Sequence, residues 1–216
     1  MKTKRALIVV DLQKDFCPGG SLAVPDGDKI VPIVNDLLGK FDLVIFTKDW
    51  HFPAMYGFES YQKEHYGKGA FEKYTNEQGK EDVIWPDHCV ENTDGAEFHP
   101  DLDLGKCKKD FYIFKKGNMP HFHPYSGFAE VLETNESELG VFLKNREISE
   151  IYVCGLALDY CVKETALDGA KLGFTTCVIL DACKPINSDV TTVLMDFDKA
   201  GVAYINTWVL DYLLQK

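Results

Sequence analysis

Short apolar segments alternate with amphipathic segments along most of the chain. Continuous runs of branched and aromatic residues, typical of strands covered on both faces, lie at residues 6–10, 43–47, 111–115, 151–154, 176–180 and 202–205. Apolar residues with helical spacing lie between them, at about 28–38, 136–146, 162–172, 190–200 and 210–214. This alternation predicts an α/β fold, a doubly wound and mostly parallel sheet with helices on both faces.

One long stretch interrupts this alternation. Residues 49–110 show little periodicity and are rich in glycine, charged residues, histidine and aromatic residues. A loop of this length inside a compact domain is usually functional or disordered, and the histidines and aromatic residues favour function. We therefore predict a single domain over residues 1–216, with a long insertion around 49–110 that carries part of a metal site.

Composition and charge exclude several classes of function. The chain has 216 residues and a net charge of −11, which argues against nucleic acids and anionic membranes as partners. The longest apolar runs have the length of strands, and the N-terminus leads into the first strand without the pattern of a signal peptide. Seven cysteines, an odd number, indicate reduced thiols. These features predict a cytoplasmic protein.

Cys161 lies at a junction between the predicted strand at 151–154 and the predicted helix at 162–172. The first turn of a helix offers unpaired N–H groups and the positive end of the helix dipole. Such a position lowers the pKa of a thiol and favours the nucleophilic thiolate. We therefore expect Cys161 to be a nucleophile with a lowered pKa.

Three charged residues follow other predicted strands. Asp11 follows the first strand, Asp49 lies just beyond the second, and Lys116 follows the third. Taken singly, Asp11 could be a turn or helix cap and Lys116 a solvated surface lysine. In open α/β sheets, however, ligands bind at the carboxyl ends of the strands. The fold therefore predicts that these three side chains and Cys161 share one rim of the sheet.

Asp49 and His51 form an i, i+2 pair that projects both side chains to the same side of an extended chain. A carboxylate and an imidazole placed in this way can hold a metal, and His88 could supply a third ligand. Three protein ligands leave positions open for water or substrate. The spacing by itself is weak evidence. His121 and His123 form another such pair, for which a proline-containing surface loop is the better interpretation.

Several motifs occur in a recognisable order from residue 6 to about residue 205. Their series resembles that of the nicotinamidases, a group of isochorismatase-like cysteine hydrolases. The first and last motifs mark the superfamily, and the D-W-H and W-P-x-H-C-V motifs narrow the resemblance to nicotinamidases. The motifs are Val10-Asp11-Leu12-Gln13-Lys14-Asp15-Phe16 with Gly19-Gly20-Ser21-Leu22, Thr47-Lys48-Asp49-Trp50-His51, Trp85-Pro86-Asp87-His88-Cys89-Val90, Lys116-Gly117, and Gly155-Leu156-Ala157-Leu158-Asp159-Tyr160-Cys161-Val162.

The resemblance implies a catalytic triad of Asp11, Lys116 and Cys161. Asp11 would accept the thiol proton, Lys116 would hold the neighbouring charges in place, and the thiolate would attack a carboxamide carbon. Backbone N–H groups of Ala157 and Cys161 would form the oxyanion hole, after a cis peptide bond between Leu156 and Ala157. Nicotinamide, and also pyrazinamide, would be hydrolysed through a thioester with release of ammonia.

The resemblance also implies a divalent metal that holds the pyridine nitrogen of the substrate. Zinc is the first choice, with manganese and iron as alternatives, and Asp49, His51 and His88 would be its ligands. A homo-oligomer is expected, because oligomers are common in this fold family. The residues expected to bind or enclose the substrate ring are Phe16, Leu22, Trp85, Ala157 and Tyr160.

The segment after Asp49-Trp50-His51 departs from the pattern of many relatives. Glu59, Ser60 and His65 each remain open as a fourth metal ligand, as does water alone. Two other functions also remain open. One is a related cysteine amidase that acts on another small carboxamide. The other is a thiol redox protein that uses Cys161 with Cys154, although their spacing is not C-x-x-C.

Overall fold

The computed structural model describes residues 4–76, 79–117, 124–129 and 136–214. Within these ranges the strands are β1 (Lys4–Val10), β2 (Leu43–Asp49), β3 (Lys73–Thr75), β4 (Glu81–Val83), β5 (Phe111–Lys116), β6 (Ile148–Leu156), β7 (Thr175–Lys184) and β8 (Ala203–Ile205). The α-helices are α1 (Val31–Leu38), α2 (Glu59–Tyr66), α3 (Glu138–Asn145), α4 (Lys163–Lys171), α5 (Thr191–Ala200) and α6 (Thr207–Leu214).

Six strands form the central sheet, in the order β5-β2-β1-β6-β7-β8. Every neighbouring pair in this sheet is parallel, and helices pack around it. All seven residues of β2 are buried, which explains the continuous apolar run in this part of the sequence. The predicted fold class is confirmed. β2 pairs with one edge of β1, and β6 pairs with the opposite edge of β1. The direction in which strands are added to the sheet therefore reverses at β1.

The stretch 49–110 contains more regular structure than its sequence pattern predicts. Helix α2 lies within it, and β3 and β4 form an antiparallel hairpin. The sequence shows no helical period of apolar residues here, because the residues of α2 are mostly polar and only Gln62 among them is buried. The strands of the hairpin are three residues long, too short for an alternating pattern to emerge.

The structure also corrects two predicted helices. The helix expected from residue 28 consists of a 3₁₀ turn at Gly27–Ile30 followed by α1. The helix expected from Val162 begins at Lys163, after a π-helical turn at Leu158–Val162. Single turns of π-helix occur frequently at functional sites, and this one contains Cys161. In the described part of the chain, no helix combines the length and the apolar character needed to cross a membrane.

Gly155 allows β6 to approach β1 closely near the carboxyl ends of the two strands. Its φ is +119°, and a Cβ atom built on it would lie 2.1 Å from the carbonyl oxygen of Val10. No other residue fits such a position without displacing the backbone. The close approach brings the segment after β6, which carries Cys161, towards Asp11, the residue that follows β1.

Candidate active site

Four functional side chains meet at the carboxyl ends of adjacent strands. Asp11 follows β1, Asp49 ends β2, Lys116 ends β5, and Cys161 follows β6. All four are buried, with at most 6% of any of these residues exposed. The predicted rim of the sheet therefore exists as a single cluster, although its members are separated by up to 150 positions along the chain (161 − 11).

Lys116 lies at the centre of this cluster. Its Nζ lies 2.9 Å from Oδ2 of Asp11 and 3.4 Å from Sγ of Cys161, and it donates a hydrogen bond to Oδ1 of Asp49. Burial opposes the charge, but the two carboxylates outweigh it and raise the pKa of Lys116 well above its usual range. The ammonium therefore bridges two carboxylates and the thiol.

Asp11 is held by Thr47 on the neighbouring strand. The Thr47 hydroxyl donates a hydrogen bond of 2.6 Å to Oδ1 of Asp11 and accepts one from the Asp11 backbone N–H. Burial, opposed by Lys116 and reinforced by Asp49, raises the pKa of Asp11 to about 6. A carboxyl group with a raised pKa beside a thiol is suited to accept its proton.

Cys161 does not have the lowered pKa that the sequence pattern predicts. Burial raises the pKa of its thiol well above the usual value; Lys116 opposes this effect, and the carboxylates of Asp11 and Asp49 reinforce it. The residue lies in the π-helical turn rather than in the first turn of α4. The thiol form is therefore favoured, so a nucleophilic role would require a neighbouring group that accepts its proton.

The backbone around Ala157 has the cis geometry that the resemblance implies. The peptide bond between Leu156 and Ala157 is cis. The carbonyl oxygen of Ala157 accepts from the backbone N–H of Val162 at 3.1 Å, the i to i+5 bond of the π-helical turn. Ala157 and Cys161 both line the cleft described below.

Asp49, His51 and His88 converge beside this cluster. Oδ2 of Asp49 lies 3.3 Å from Nε2 of His51 and 3.8 Å from Nε2 of His88. The three candidate ligand atoms lie within 4.8 Å of one another, and all three residues are buried. His88 follows Asp49 by 39 positions (88 − 49). The segment between them, which contains α2 and the hairpin of β3 and β4, therefore brings together ligands that spacing alone could not connect.

The hydrogen bonds of the two histidines suit metal binding. Nδ1 of His51 lies 3.0 Å from the carbonyl oxygen of Gly117, and Nδ1 of His88 lies 2.7 Å from that of Pro86. Each Nδ1–H therefore donates to a carbonyl, and Nε2 of each ring lies on the side of Asp49. Burial lowers the pKa of His88 to about 4, so this imidazole is neutral, the form that binds metals.

Asp49 supplies a negative charge to the cluster that it forms with His51 and His88. Burial raises its pKa, but Lys116 and His51 outweigh burial and hold the pKa well below its usual value. One carboxylate and two imidazoles form a donor set that suits zinc and similar divalent ions. These residues therefore fit a divalent metal.

None of the three candidates for a fourth ligand joins this group within the described residues. Ser60 and His65 are exposed on α2, and the His65 ring stacks on Tyr61 at 4.0 Å. Phe58, which is fully buried, packs against the rings of His51 and His88 and covers that side of the cluster. His121 and His123 lie outside the described residues.

A cleft opens onto both clusters. All five residues expected at the substrate line it, together with Cys161, Asp49 and His88. Three further lining residues were not predicted: Pro124, Tyr125 and Ile186. The Trp85 and Tyr160 rings meet edge to face at 4.9 Å, so the wall of the cleft is largely aromatic and suits a flat ring.

Similarity to known proteins identifies the family of this chain. The model of the isochorismatase domain matches residues 5–208 of the chain, which is most of its length. The chain belongs to the isochorismatase family. Within that family, it is 41% identical to the nicotinamidase of Escherichia coli K12, over 91% of this chain and 92% of that protein.

Solved structures of isochorismatase-family enzymes have the same fold. A nicotinamidase/pyrazinamidase from Acinetobacter baumannii superposes with a TM-score of 0.87 at 40% identity, covering 97% of this chain and 99% of that one. The pyrazinamidase of Pyrococcus horikoshii, solved in complex with zinc, superposes with a TM-score of 0.74 at 36% identity, covering 94% and 99% of the two chains. The predicted resemblance is therefore confirmed.

Gln13 supports the candidate metal site through contacts that the sequence pattern did not predict. It lies in the first motif of this isochorismatase-family chain, but the motif alone suggested no role for it. Its fully buried side chain donates to the carbonyl oxygen of Asp49 and accepts from the Asp49 backbone N–H, at 2.8 and 2.7 Å. A second bond of 2.8 Å runs to the carbonyl oxygen of Ala96. Gln13 therefore fixes the backbone of a metal-ligand candidate.

Asp15, in the same motif, contacts a second part of the candidate metal site. Its Oδ2 accepts a hydrogen bond of 2.7 Å from the backbone N–H of Cys89, the residue after His88. Gly95 makes room for the carboxylate, because a Cβ atom at that position would lie 2.2 Å from Oδ2. The spacing of Gln13 and Asp15 was visible in the sequence, but their partners lie about 36 and 74 positions away.

Proposed function

We propose that this protein is a nicotinamidase, which hydrolyses nicotinamide to nicotinate and ammonia and also accepts pyrazinamide. The observation that carries the proposal is the position of the two clusters. The Asp11, Lys116 and Cys161 group and the Asp49, His51 and His88 group open onto one aromatic cleft. The identity to curated nicotinamidases supports the same assignment.

In the mechanism we propose, Asp11 takes the proton from the Cys161 thiol as Sγ attacks the carboxamide carbon. The C=O bond opens to an oxyanion, which backbone N–H groups of Ala157 and Cys161 stabilise. Asp11 returns the proton to the amide nitrogen, the C–N bond breaks, and ammonia leaves with a thioester on Cys161. Water, deprotonated by Asp11, then attacks the thioester and releases nicotinate and the thiol.

Lys116 contributes to these reaction steps through its positive charge. The ammonium lies against both Asp11 and Cys161, so it favours the anionic form of whichever group has lost the proton. Lys116 therefore keeps negative charge stable on either side of the proton transfer between thiol and carboxylate. Its large rise in pKa keeps it charged throughout.

We propose that Asp49, His51 and His88 hold one divalent ion, most simply zinc, with manganese and iron as alternatives. The donor set and the zinc complex of the Pyrococcus relative support this assignment. When bound, such an ion would act as a Lewis acid towards a ring nitrogen of the substrate. Asp49 and His88 line the cleft, while Phe16, Leu22, Trp85 and Tyr160 would enclose the ring.

A comparison of three amides tests the proposed function. Ammonia release should be efficient with nicotinamide and pyrazinamide, both of which carry a ring nitrogen meta to the amide. Benzamide keeps the ring and the amide but cannot coordinate a metal, so its kcat/KM should be at least about a hundredfold lower. A chelator should abolish the difference. Equal kcat/KM for benzamide and nicotinamide would instead favour a related amidase of broader substrate range.

The other alternative, a thiol redox protein, gains no support. Cys154 is fully buried within β6, and Cys161 contacts Lys116 instead of a second thiol. Burial raises the pKa of Cys154 well above its usual value, which disfavours the reactive thiolate.

We further infer that residues 1–216 form a single hydrolase domain, with an insertion around 49–110. The family match over residues 5–208 and one continuous apolar core support this inference. A homo-oligomer in the cytoplasm stays a prediction.

A further inference from the structure

Three side chains form a hydrogen-bonded chain behind the aromatic wall of the cleft. Nε1 of Trp85 donates to the hydroxyl of Tyr125 at 2.9 Å, and that hydroxyl donates to Oδ1 of Asp82 at 2.8 Å. Trp85 and Tyr125 line the cleft, whereas Asp82 does not. These hydrogen bonds therefore connect the aromatic wall of the cleft to a carboxylate that lies outside the cleft.

The chemistry of the three groups allows only one direction for these bonds. An indole N–H can only donate, and a carboxylate can only accept. The Tyr125 hydroxyl must therefore accept from Trp85 and donate to Asp82. Burial and the neighbouring carboxylate of Asp82 raise the pKa of Tyr125 well above its usual range, so the phenol keeps the proton that it donates.

The main chain of Trp85 is fixed separately. Its backbone N–H donates to the carbonyl oxygen of Gly57, and its carbonyl oxygen accepts from Glu59, at 3.0 and 2.8 Å. These bonds hold the position of the residue but leave the rotation of the indole about its side-chain torsions open. The bond from Nε1 to Tyr125 is the polar contact that selects one orientation of the ring.

Asp82 is well placed to orient the phenol. It lies in β4, opposite Tyr74 of β3, three positions before Trp85 along the chain. Its Oδ1 also accepts from the backbone N–H of Val83 at 2.8 Å, which fixes the carboxylate against its own strand. The hairpin of β3 and β4 thus presents a rigid acceptor to Tyr125.

We propose that Asp82 is a positioning residue for substrate binding, which acts through Tyr125 to hold the Trp85 indole in the orientation that packs on the substrate ring. The proposal rests on the proposed function for its substrate. It assigns the insertion a role in ring recognition in addition to its role in metal binding. Because Trp85 packs equally on substrate and transition state, losing this orientation should raise KM and leave kcat nearly unchanged.

Steady-state kinetics with nicotinamide test the proposal through Asp82→Ala and Tyr125→Phe. Each variant should raise KM about two- to tenfold, and by no more than Trp85→Ala does, because the hydrogen bond that orients the ring is lost. The double variant should be no worse than Tyr125→Phe alone, since in this proposal Asp82 acts on Trp85 through the Tyr125 hydroxyl. Asp82→Asn should keep KM close to the wild-type value, because the amide oxygen can still accept a hydrogen bond from the Tyr125 hydroxyl.

Glu81→Ala is the matched control. Glu81 lies in the same strand, is exposed and pairs with Lys73, so this variant should keep the wild-type KM. If Glu81→Ala raises KM as much as Asp82→Ala does, the effect comes from the hairpin as a whole and the proposal is wrong. Effects of Asp82→Ala and Tyr125→Phe that simply add in the double variant would also overturn it.

A spectroscopic measurement without substrate separates this proposal from the proposed function. The chain has three tryptophans, and subtracting the near-ultraviolet circular dichroism of Trp85→Phe isolates the signal of Trp85. Asp82→Ala should change that signal, and Asp82→Asn and Glu81→Ala should preserve it. An unchanged Trp85 signal in Asp82→Ala would overturn the proposal even if KM rises. A wild-type protein without nicotinamidase activity would instead overturn the proposed function.

Discussion

The charged cluster and the aromatic wall of the cleft are built in different ways. Asp11, Asp49 and Lys116 stand at the ends of parallel strands, where the sheet itself sets their separation. The aromatic wall comes from irregular segments, and hydrogen bonds and edge-to-face contacts between side chains fix it. The comparison indicates that the backbone positions the reacting groups, whereas side-chain contacts shape the surface that recognises the ring. Substitutions in the charged cluster should abolish turnover, whereas substitutions in the aromatic wall should weaken substrate binding.

Loss of the nucleophile should have the largest effect. Cys161→Ala should lower kcat by more than about a thousandfold, because covalent catalysis has no substitute for the attacking sulfur. Adding Asp11→Asn or Lys116→Ala should cost little more, since the three groups act as a unit. Ammonia release measures turnover, and thermal unfolding checks the fold. Cys154→Ala, which removes another buried thiol from β6, should retain activity; its inactivation would indicate that packing rather than the nucleophile was lost.

Removal of a metal ligand comes next. His88→Ala should lower the occupancy of divalent metal from about one per chain towards zero and reduce kcat/KM for nicotinamide at least about a hundredfold. Elemental analysis measures the occupancy. His65→Ala is the control, because His65 is exposed on α2 and outside the cluster. Full occupancy in His88→Ala, or loss of metal in His65→Ala, would contradict the ligand set.

Gln13→Ala tests whether the backbone bonds to Asp49 matter to the metal. It should weaken metal affinity about 10- to 100-fold, the usual effect of removing a group that orients a ligand. Competition with a chelating dye gives the affinity without any assay of turnover. Asn35→Ala offers a matched control, because the Asn35 amide clamps the backbone at Asp101 and Asp103 in the same way but lies on the surface. If both variants lost metal affinity equally, Gln13 would have no special role in metal binding.

A change in the aromatic wall should have the smallest effect. Trp85→Ala should raise KM about tenfold for nicotinamide and benzamide alike, since ring packing does not distinguish nitrogen from carbon. Trp50→Ala serves as the comparison, because Trp50 lies between Lys48 and Lys115 and does not line the cleft. A selective loss of nicotinamide turnover in Trp85→Ala would mean that the wall acts through the metal site.

Much of the sheet was predictable because its strands are buried on both faces. β1 and β2 appear in the sequence as unbroken apolar runs, and the residues after them could be placed at one rim by a general rule of parallel sheets. The hairpin of β3 and β4 and the polar helix α2 could not be predicted, because neither has an apolar face that gives a period. Tyr125 was missed for a related reason: no motif or strand end marks it.

The sequence by itself determined the fold class and identified the candidate reacting side chains and the candidate metal ligands. Each is a residue type at a defined place relative to a strand or within a motif. The tertiary structure alone decided the state of the Cys161 thiol, the clamp of Gln13 on Asp49 and the chain from Asp82 to Trp85. Burial, neighbouring charge and hydrogen bonding depend on groups that are distant along the chain, so no local pattern encodes them.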